Sequence, residues 1–571
     1  MSQYAPMSST HRTAPDHELK GWPAGVKYIV GNEGAERFSF YGMKAILYIY
    51  LTILIQASGV TDAAAEAGAT AKVHLFIAGV YAFPVLGAIL ADKLLGKYQT
   101  IVWLSLVYCA GHAAMAIFDG NLEGTYIGLA LIAVGAGGIK PCVSAHVGDQ
   151  FGKSNWHLIN KVFQAFYFII NFGSFFSTLL VPWLYNGGQG GEISLFGVGL
   201  GLEHSAMVAF GLPGVLMFIA TFIFWMGRHE FVHVPPNPGG KLGFLDAVVG
   251  FCLFVPLFMV LFAQDSGLVT MWQWKLGISA GAVVLGIMVF SYRQRIKEDD
   301  GFLAVLVYSC QGLFKKNTHE IGSPGSKADP DAAISKHWFF GSAAGKYGSL
   351  AAEGPLAVFR IISVFFLVSV FWMLFDQHAS TWVEQAKQMD RSMDFGIWSW
   401  SPLPSQVSAV NPIMVMILIP ILTFGLFPWL EKRGLKITPL RKMSVGMMIA
   451  GTAFIAVALI QAKIESVGKG QVSIWWQMIP YALMTTSEVL VSITGLEFAY
   501  TQAPKRMKSI VMSFWLLCVS FGNYLVAKLS HAFEGWPLSK AFWIFAGLMF
   551  AAGVLFSIRA LFYTYREYPQ E

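Results

Sequence analysis

The chain has 571 residues, of which 55% are hydrophobic and only 13% are charged. Soluble domains carry about 25% charged residues, so this composition excludes a soluble, disordered or fibrous protein. Aromatic residues make up 15% of the chain, which is typical of membrane proteins with interfacial anchors. Since one crossing takes about 20 residues, we predict a polytopic helical membrane protein with many spans.

Apolar stretches of spanning length occur about fourteen times along the chain. The first six lie near 26–56, 73–92, 99–118, 124–146, 159–185 and 204–227, two more near 243–263 and 271–292, and the last six near 356–383, 406–430, 437–462, 473–500, 509–532 and 540–564. The more polar stretch 293–353 contains Gly322-Ser323-Pro324-Gly325-Ser326. It predicts a connector of amphipathic segments and loops.

Basic residues are concentrated in alternate loops, for example at Lys93 and Lys97, at Arg293 and Arg295, and at Lys505 and Arg506. The positive-inside rule places these loops in the cytoplasm, together with both termini. The first 25 residues lack the apolar core of a cleavable signal peptide. We therefore expect the first span to direct insertion.

The spans divide into six, an inserted pair and six more, which is the major facilitator arrangement of two bundles around a central cavity. We predict four segments. They are a cytoplasmic N-terminal segment at 1–25, an N-terminal bundle at 26–230, an inserted pair with its linker at 231–355, and a C-terminal bundle at 356–571.

The first span carries five polar groups where a charge is costly: Glu33, Glu36, Arg37, Tyr41 and Lys44. At about 100° per residue they fall on one stripe roughly 140° wide, which must face protein or water. A structural ion-pair cluster would explain one pair of charges. Five groups on one face favour a functional site, because protonating a carboxylate releases its cation for another anion.

Two further charges lie deep in spans. Lys140, beside Pro141 in the fourth span, is too far from either end to snorkel easily. Glu488 has no cation nearby in its own helix, so it needs a proton or a partner such as Lys140 across the cavity. We predict that a separable pair of this kind acts as a gate.

Weaker signals complete the list of polar candidates. Trp372 and Asp376 are four residues apart and therefore share one helix face. Tyr167 and Asn171 have the same spacing, but that pair by itself is typical of a hydrogen bond between helices. Asp92 begins a basic turn. This turn is either an ordinary basic loop that sets the membrane orientation or a latch between spans on the cytoplasmic side. His74 fits a packed or interfacial histidine.

Motifs of enzymes are missing from the sequence. It contains no phosphate-binding loop, zinc-protease helix or nucleophile elbow, and its five cysteines show no metal-ligand spacing. We expect no enzymatic activity, no cofactor, no metal and no nucleic-acid partner.

Several stretches resemble signatures of the proton-dependent oligopeptide transporters. Residues 33–42 (EGAERFSFYG) resemble the ExxERFxYYG motif, and 135–144 (GAGGIKPCVS) through 148–151 (GDQF) resemble a second signature. Residues 166–174 (FYFIINFGS) are similar to the FYxxINxGS motif, and Glu488 to Glu497 with Gln502-Ala503-Pro504 resemble the tenth-helix region. The likeness covers nearly the whole chain.

The resemblance implies proton-driven uptake of di- and tripeptides by alternating access. It implies that Glu33, Glu36 and Arg37 form the proton-coupling cluster, and we expect Glu488 to take part in proton coupling as well. The expected substrate-binding residues are Arg37, Tyr41, Lys44, Tyr81, Lys140, Tyr167 and Asn171 on one side and Trp372, Asn411, Glu488, Ser492 and Trp515 on the other. Glu488 suits the amino group of a peptide and the cations suit its carboxylate. The expected gating residues are Asp376, Lys140 and Asp92.

This sequence departs from the family pattern at two positions. Lys44 replaces a usual arginine and cannot make the same planar grip, and Phe40 removes one tyrosine hydroxyl. His74 matches a histidine tied to proton coupling in animal relatives. Two alternatives stay open: a transporter of another solute, such as nitrate, a drug or an amino-acid derivative, and a peptide sensor without flux. We expect a monomer in the cell inner membrane, with peptide, protons and lipid as its partners.

Overall fold

The computed structural model describes residues 11–195, 198–262, 271–314, 334–394, 396, 399–504 and 507–566. Within these ranges, fourteen helical segments are long and apolar enough to cross a membrane. Their number and order confirm the predicted all-α polytopic fold. The glycine- and serine-containing stretch predicted at 322–326 lies outside the described residues.

The first bundle is built from the first seven helices. They are α1 (Val26–Gln56), α2 (Asp62–Ala82), α3 (Pro84–Leu90), α4 (Lys97–Ile117), α5 (Leu122–Asp149), α6 (Ile159–Tyr185) and α7 (Ala206–Met226). A π-helical turn, Ala91–Leu95, continues α3, so that α2 and α3 form one span. The inserted pair is α8 (Gly240–Leu261) and α9 (Trp272–Ile296), followed by α10 (Phe302–Phe314) and α11 (Gly341–Tyr347).

The second bundle contains the remaining nine named helices. They are α12 (Ser349–Phe375), α13 (Thr381–Lys387), α14 (Val410–Pro420), α15 (Phe427–Lys432), α16 (Pro439–Val467), α17 (Met478–Glu488), α18 (Thr494–Gln502), α19 (Lys508–Ala532) and α20 (Leu538–Leu561). A 3-10 turn, Asp376–Ala379, joins α12 to α13. π-helical turns at Ile421–Leu426 and Val489–Ile493 join α14 to α15 and α17 to α18.

Two short antiparallel hairpins, which the sequence analysis did not anticipate, interrupt the helical pattern. β1 (Glu192–Leu195) pairs with β2 (Val198–Glu203), and β3 (Met393–Asp394) pairs with β4 (Ser399–Trp400). Both hairpins lie in loops on the predicted extracellular side, outside the spans.

The second span begins at Asp62 and not near residue 73 as predicted. The segment before 73 is rich in alanine, which favours helix but adds little hydropathy. Thr61 caps it, because its side chain accepts a hydrogen bond from the Ala64 amide at 3.3 Å. Helix propensity and capping therefore extended this helix beyond its apolar part.

Each bundle has its own apolar core. One cluster of buried side chains runs from Val26 to Phe231, and the other from Val358 to Phe556. Tyr81 packs against both clusters. The inserted pair touches both bundles, since Phe254 and Leu261 pack with α2 and with residues of α19. Apolar residues of α2 and α19 also meet in this cluster where the two bundles touch.

Within the first bundle, α3 and α5 approach each other at glycines. A Cβ atom on Gly87 would overlap the carbonyl oxygen of Gly137 and lie 2.7 Å from the Cα of Gly138. Backbone atoms cannot move aside as a flexible side chain can, so this crossing requires glycine. It holds α5 close to the α2–α3 span.

We expect Gly87→Ala to lower the melting temperature of the purified protein by several degrees, because overpacking against a backbone costs about 1–3 kcal/mol. Gly31→Ala is the matched control, since Gly31 is also helical and a Cβ there meets nothing within 4 Å. Thermal unfolding in detergent measures both. Equal melting temperatures for the two variants would contradict this account of the crossing.

Candidate functional site

The polar stripe of α1 forms a buried ion cluster. Arg37 Nη2 lies 2.8 Å from Glu33 Oε1, and Arg37 Nε lies 3.3 Å from Glu36 Oε2. Glu36 is fully buried and Glu33 almost so. The two carboxylates are held differently: Glu33 accepts a hydrogen bond from Arg37 Nε, while Glu36 has only longer ionic contacts among the described residues.

Lys140 belongs to the same cluster. Its Nζ lies 3.5 Å from Glu36 Oε1, 4.5 Å from the centre of the Phe40 ring and 5.5 Å from that of Tyr81. Two carboxylates and two cations therefore share one buried site, and two aromatic rings stabilise the lysine ammonium.

The expected pair between Lys140 and Glu488 does not form in this structure. In the described part of the chain no ion pair joins them, because Lys140 lies beside Glu36 in its own bundle. Glu488 is instead held in the second bundle, where its Oε2 accepts a hydrogen bond from Asn411 Nδ2 at 2.8 Å. The same Nδ2 donates to Thr485 Oγ1 at 3.0 Å.

The wall of the second bundle combines this carboxylate with aromatic side chains. The ring centres of Trp372 and Trp515 lie 6.2 Å apart, and Trp515 also packs against Phe365 at 4.9 Å. Trp372 Nε1 is buried with no hydrogen-bond partner among the described residues. Ser492 is half-buried in the π-helical turn that follows Glu488, and such turns are frequent at functional sites.

The three candidate tyrosines of the first bundle, Tyr41, Tyr81 and Tyr167, are half-buried. Tyr41 packs edge-on against Phe40 at 5.5 Å. Asn171 does not bond another helix: its Nδ2 donates to the carbonyl oxygen of Tyr167 at 2.9 Å, within α6. Tyr167 and Tyr81 are only partly covered.

A second polar network joins the two bundles, and it includes a residue that was expected to bind substrate. Lys44 Nζ lies 2.6 Å from Asp376 Oδ1 across the seam. Asn523 Nδ2 donates to Asp376 Oδ2 at 2.8 Å, and Asn523 Oδ1 lies 2.7 Å from His74 Nδ1. His74 Nε2 lies 2.8 Å from the Ser380 hydroxyl. Because Asn523 Oδ1 can only accept, His74 carries a hydrogen on Nδ1.

Further contacts close the seam toward the predicted extracellular side. Tyr48 donates to Glu384 Oε2 at 3.1 Å, and Lys387 pairs with the same oxygen at 2.8 Å. Gln406 Nε2 donates to the carbonyl oxygen of Leu179 at 2.8 Å. These hydrogen bonds lie toward the predicted extracellular end of the molecule. Among the described residues, the hydrogen bonds that join the two bundles lie at this end or at mid-depth.

Sequence reasoning missed Asn523, Ser380 and Glu384. Asn523 had a usable signal, since an asparagine inside the apolar stretch 509–532 is as exceptional as a charge in a span. Ser380 and Glu384 follow the 3-10 turn at the end of α12, where the apolar pattern breaks down and their position could not be read from periodicity.

Asp92 shows no sign of the predicted latch. It is exposed in the π-helical turn, and its carbonyl oxygen accepts a hydrogen bond from the Asn237 amide at 2.8 Å. No ion pair of Asp92 occurs among the described residues. A nearby ion pair joins Lys97 to Asp149 at 2.7 Å, and both belong to the first bundle.

Comparisons with known proteins show what this chain is similar to. The profile of the POT family (PTR2) matches residues 98–255 and 348–544. Human solute carrier family 15 member 2 is 31% identical over 500 residues, covering 86% of this chain and 56% of the relative. The chain thus spans about half the length of the curated relatives it matches.

Two solved structures cover nearly all of the chain. The POT family transporter PepTSo is 37% identical with a TM-score of 0.69, covering 95% of this chain and 98% of its own. An auto-inhibited POT family peptide transporter is 36% identical with a TM-score of 0.73, covering 96% and 99%. The likeness of fold confirms the predicted major facilitator architecture, and together with the profile match it shows that this chain belongs to the POT family.

Proposed function

We propose that the protein imports di- and tripeptides together with protons by alternating access between its two bundles. The observation that carries this proposal is the buried site in which Glu33, Glu36, Arg37 and Lys140 share their charges. Membership of the POT family supports it. The proposal is transport and not catalysis, so no reaction is assigned to any residue.

Glu36 is the proton acceptor in this proposal. It is fully buried, and its ionic contacts at 3.3 and 3.5 Å are longer than the 2.8 Å contact of Glu33. When a proton binds to a Glu36 oxygen, the cluster gains one positive charge. Arg37 or Lys140 then has an unbalanced charge, which attracts the carboxylate of an incoming peptide.

In this arrangement the peptide is held at its two constant ends. Its carboxylate meets Arg37 and Lys140, and its amino group meets Glu488, which has only an amide donor as its partner here. The remaining proposed contacts are Tyr41, Tyr81, Tyr167, Asn171, Trp372, Asn411, Ser492 and Trp515. Side chains of varying size fit because the recognised charges belong to the peptide backbone.

Lys44 takes a different role from the one expected of it. Since it is paired with Asp376 across the seam, we infer that Lys44 and Asp376 close the extracellular side. Asn523 is bonded to Asp376, and His74 is bonded to Asn523. The structure then corresponds to an inward-facing state. Opening toward the outside requires this pair to separate, while the cluster around Glu36 stays within its own bundle.

The wider setting completes the proposal. We propose that the protein is a monomer in the lipid bilayer of the cell inner membrane with both termini in the cytoplasm, as its basic loops indicate. We also propose the division into segments 1–25, 26–230, 231–355 and 356–571, since a separate apolar core lies in each bundle.

Proteoliposomes that contain the purified protein should accumulate labelled dialanine when an inward proton gradient is imposed. A protonophore should abolish the accumulation, because the gradient is the source of the free energy. No accumulation by protein shown to be folded would favour another solute or a sensor, and saturable binding without any flux would favour the sensor.

We expect Glu36→Gln to lower gradient-driven accumulation at least about tenfold, since the neutral amide cannot accept the coupling proton. Exchange of labelled for unlabelled peptide without a gradient should persist. Glu230→Gln is the control, because Glu230 is exposed outside the cluster. Full accumulation by Glu36→Gln would remove this residue from the coupling step.

We expect Glu488→Gln to abolish concentrative uptake, because the peptide amino group loses its anionic partner. The matched control is Glu497→Gln on the neighbouring helix α18, where the side chain is exposed. Uptake of dialanine by both variants under the same gradient is the measurement. Full uptake by Glu488→Gln would exclude the proposed role.

A further inference from the structure

A stack of three histidines lies at the predicted cytoplasmic end of the first bundle, far from the transport site. The ring centre of His11 is 4.3 Å from that of His233 and 5.3 Å from that of His229, with interplanar angles of 27° in both pairs. Such stacked rings do not converge on a common point, and the described residues contain no group able to hold a metal ion.

The stack fastens the N-terminal segment, residues 11–21, to the bundle. The His233 amide donates to the carbonyl oxygen of Arg12 at 2.7 Å. Further along, the Lys153 amide donates to His17 Nδ1 at 3.3 Å, and Asn155 Nδ2 donates to the carbonyl oxygen of Gly21 at 3.0 Å. This segment thereby connects the loop between α5 and α6 to the loop that follows α7.

Charged and titratable groups occur on the elements that flank the stack. They are Lys97 and Tyr98 of α4, His146 and Asp149 of α5, Arg228 and Glu230 beside His229, and Arg12 beside His11. Lys97 and Asp149 neutralise each other at 2.7 Å, and Glu230 is exposed. The Arg228 guanidinium lies over the Trp225 ring at 4.0 Å and donates to the Trp225 carbonyl oxygen at 3.2 Å.

The environment of His233 disfavours the charged imidazolium. Its Nε2 donates to the carbonyl oxygen of Arg228 at 2.8 Å, and its ring packs edge-on against Tyr98 at 4.6 Å. Burial, together with the nearby His11 and His229, holds the pKa of His233 below its usual range, against the opposing effect of the Arg228 carbonyl. Docking of the segment therefore disfavours protonation of His233.

We propose that His11, His229 and His233 form a latch that releases residues 11–21 when the cytoplasmic side becomes acidic. Neutral imidazoles stack, whereas protonation places like charges 4.3 to 5.3 Å apart. Since the released state takes up more protons, a falling pH shifts the equilibrium toward release.

The physiological role of this latch rests on the proposed function. A proton symporter delivers protons to the side where the stack lies, so the latch responds to the load that transport creates. The latch itself requires no transport. A test of docking can therefore fail while peptide uptake succeeds, and the reverse.

The test is hydrogen exchange of the full chain in lipid nanodiscs at about pH 7.5 and about pH 5.5, a range that brackets imidazole titration. The reporter is the His233 amide, whose exchange rate is compared with the intrinsic rate at the same pH. We expect its protection to fall about tenfold at the lower pH. His11→Phe keeps an aromatic ring that cannot be protonated, so its protection should stay constant.

His157→Phe is the matched control, since His157 is an exposed histidine in the loop between α5 and α6, on the same side but outside the stack, and it should retain the native response. His229→Phe provides a second test that leaves His11 in place and should weaken the response. Equal protection of the native chain at both pH values would overturn the proposal, as would an undiminished response in both His11→Phe and His229→Phe.

Discussion

A charge inside a membrane span is stable only with a partner, and the rest of this structure depends on how the partners are distributed. Arg37 and Lys140 meet Glu33 and Glu36 inside the first bundle. Lys44 meets an aspartate of the second bundle. The first set lies within one bundle, whereas the second pair joins the two bundles.

Separating Lys44 from Asp376 costs free energy, which other interactions must offset. Removing one partner of a buried ion pair costs about 3–5 kcal/mol, so the two groups separate only when water or another polar group replaces the lost contact. Asn523 and His74 extend the pair with neutral hydrogen bonds. Closure of the seam therefore combines one strong ionic contact with a hydrogen-bond network that can rearrange.

The two departures from the family pattern have physical counterparts in the structure. Phe40 lacks a hydroxyl, but its ring lies under the Lys140 ammonium at 4.5 Å. Lys44 lacks the planar fork of arginine and makes a single short contact with one oxygen of Asp376, whose other oxygen is bonded to Asn523. A point charge suits a carboxylate that is shared in this way.

The number of spans, the stripe on α1 and the candidates for the cavity follow from the sequence, because hydropathy and helical period are local properties of the chain. The same local rules flagged Lys44, Lys140, Asp376 and Glu488 as costly. They could not assign partners, since complementary charge allows several pairings and only the packing of helices selects one. The tertiary structure paired Lys140 with Glu36 through the crossing of α5 with α1. It paired Lys44 with Asp376. It also brought Asn523 into contact with His74, which lies 449 residues away in the chain, and no local pattern predicts such a contact.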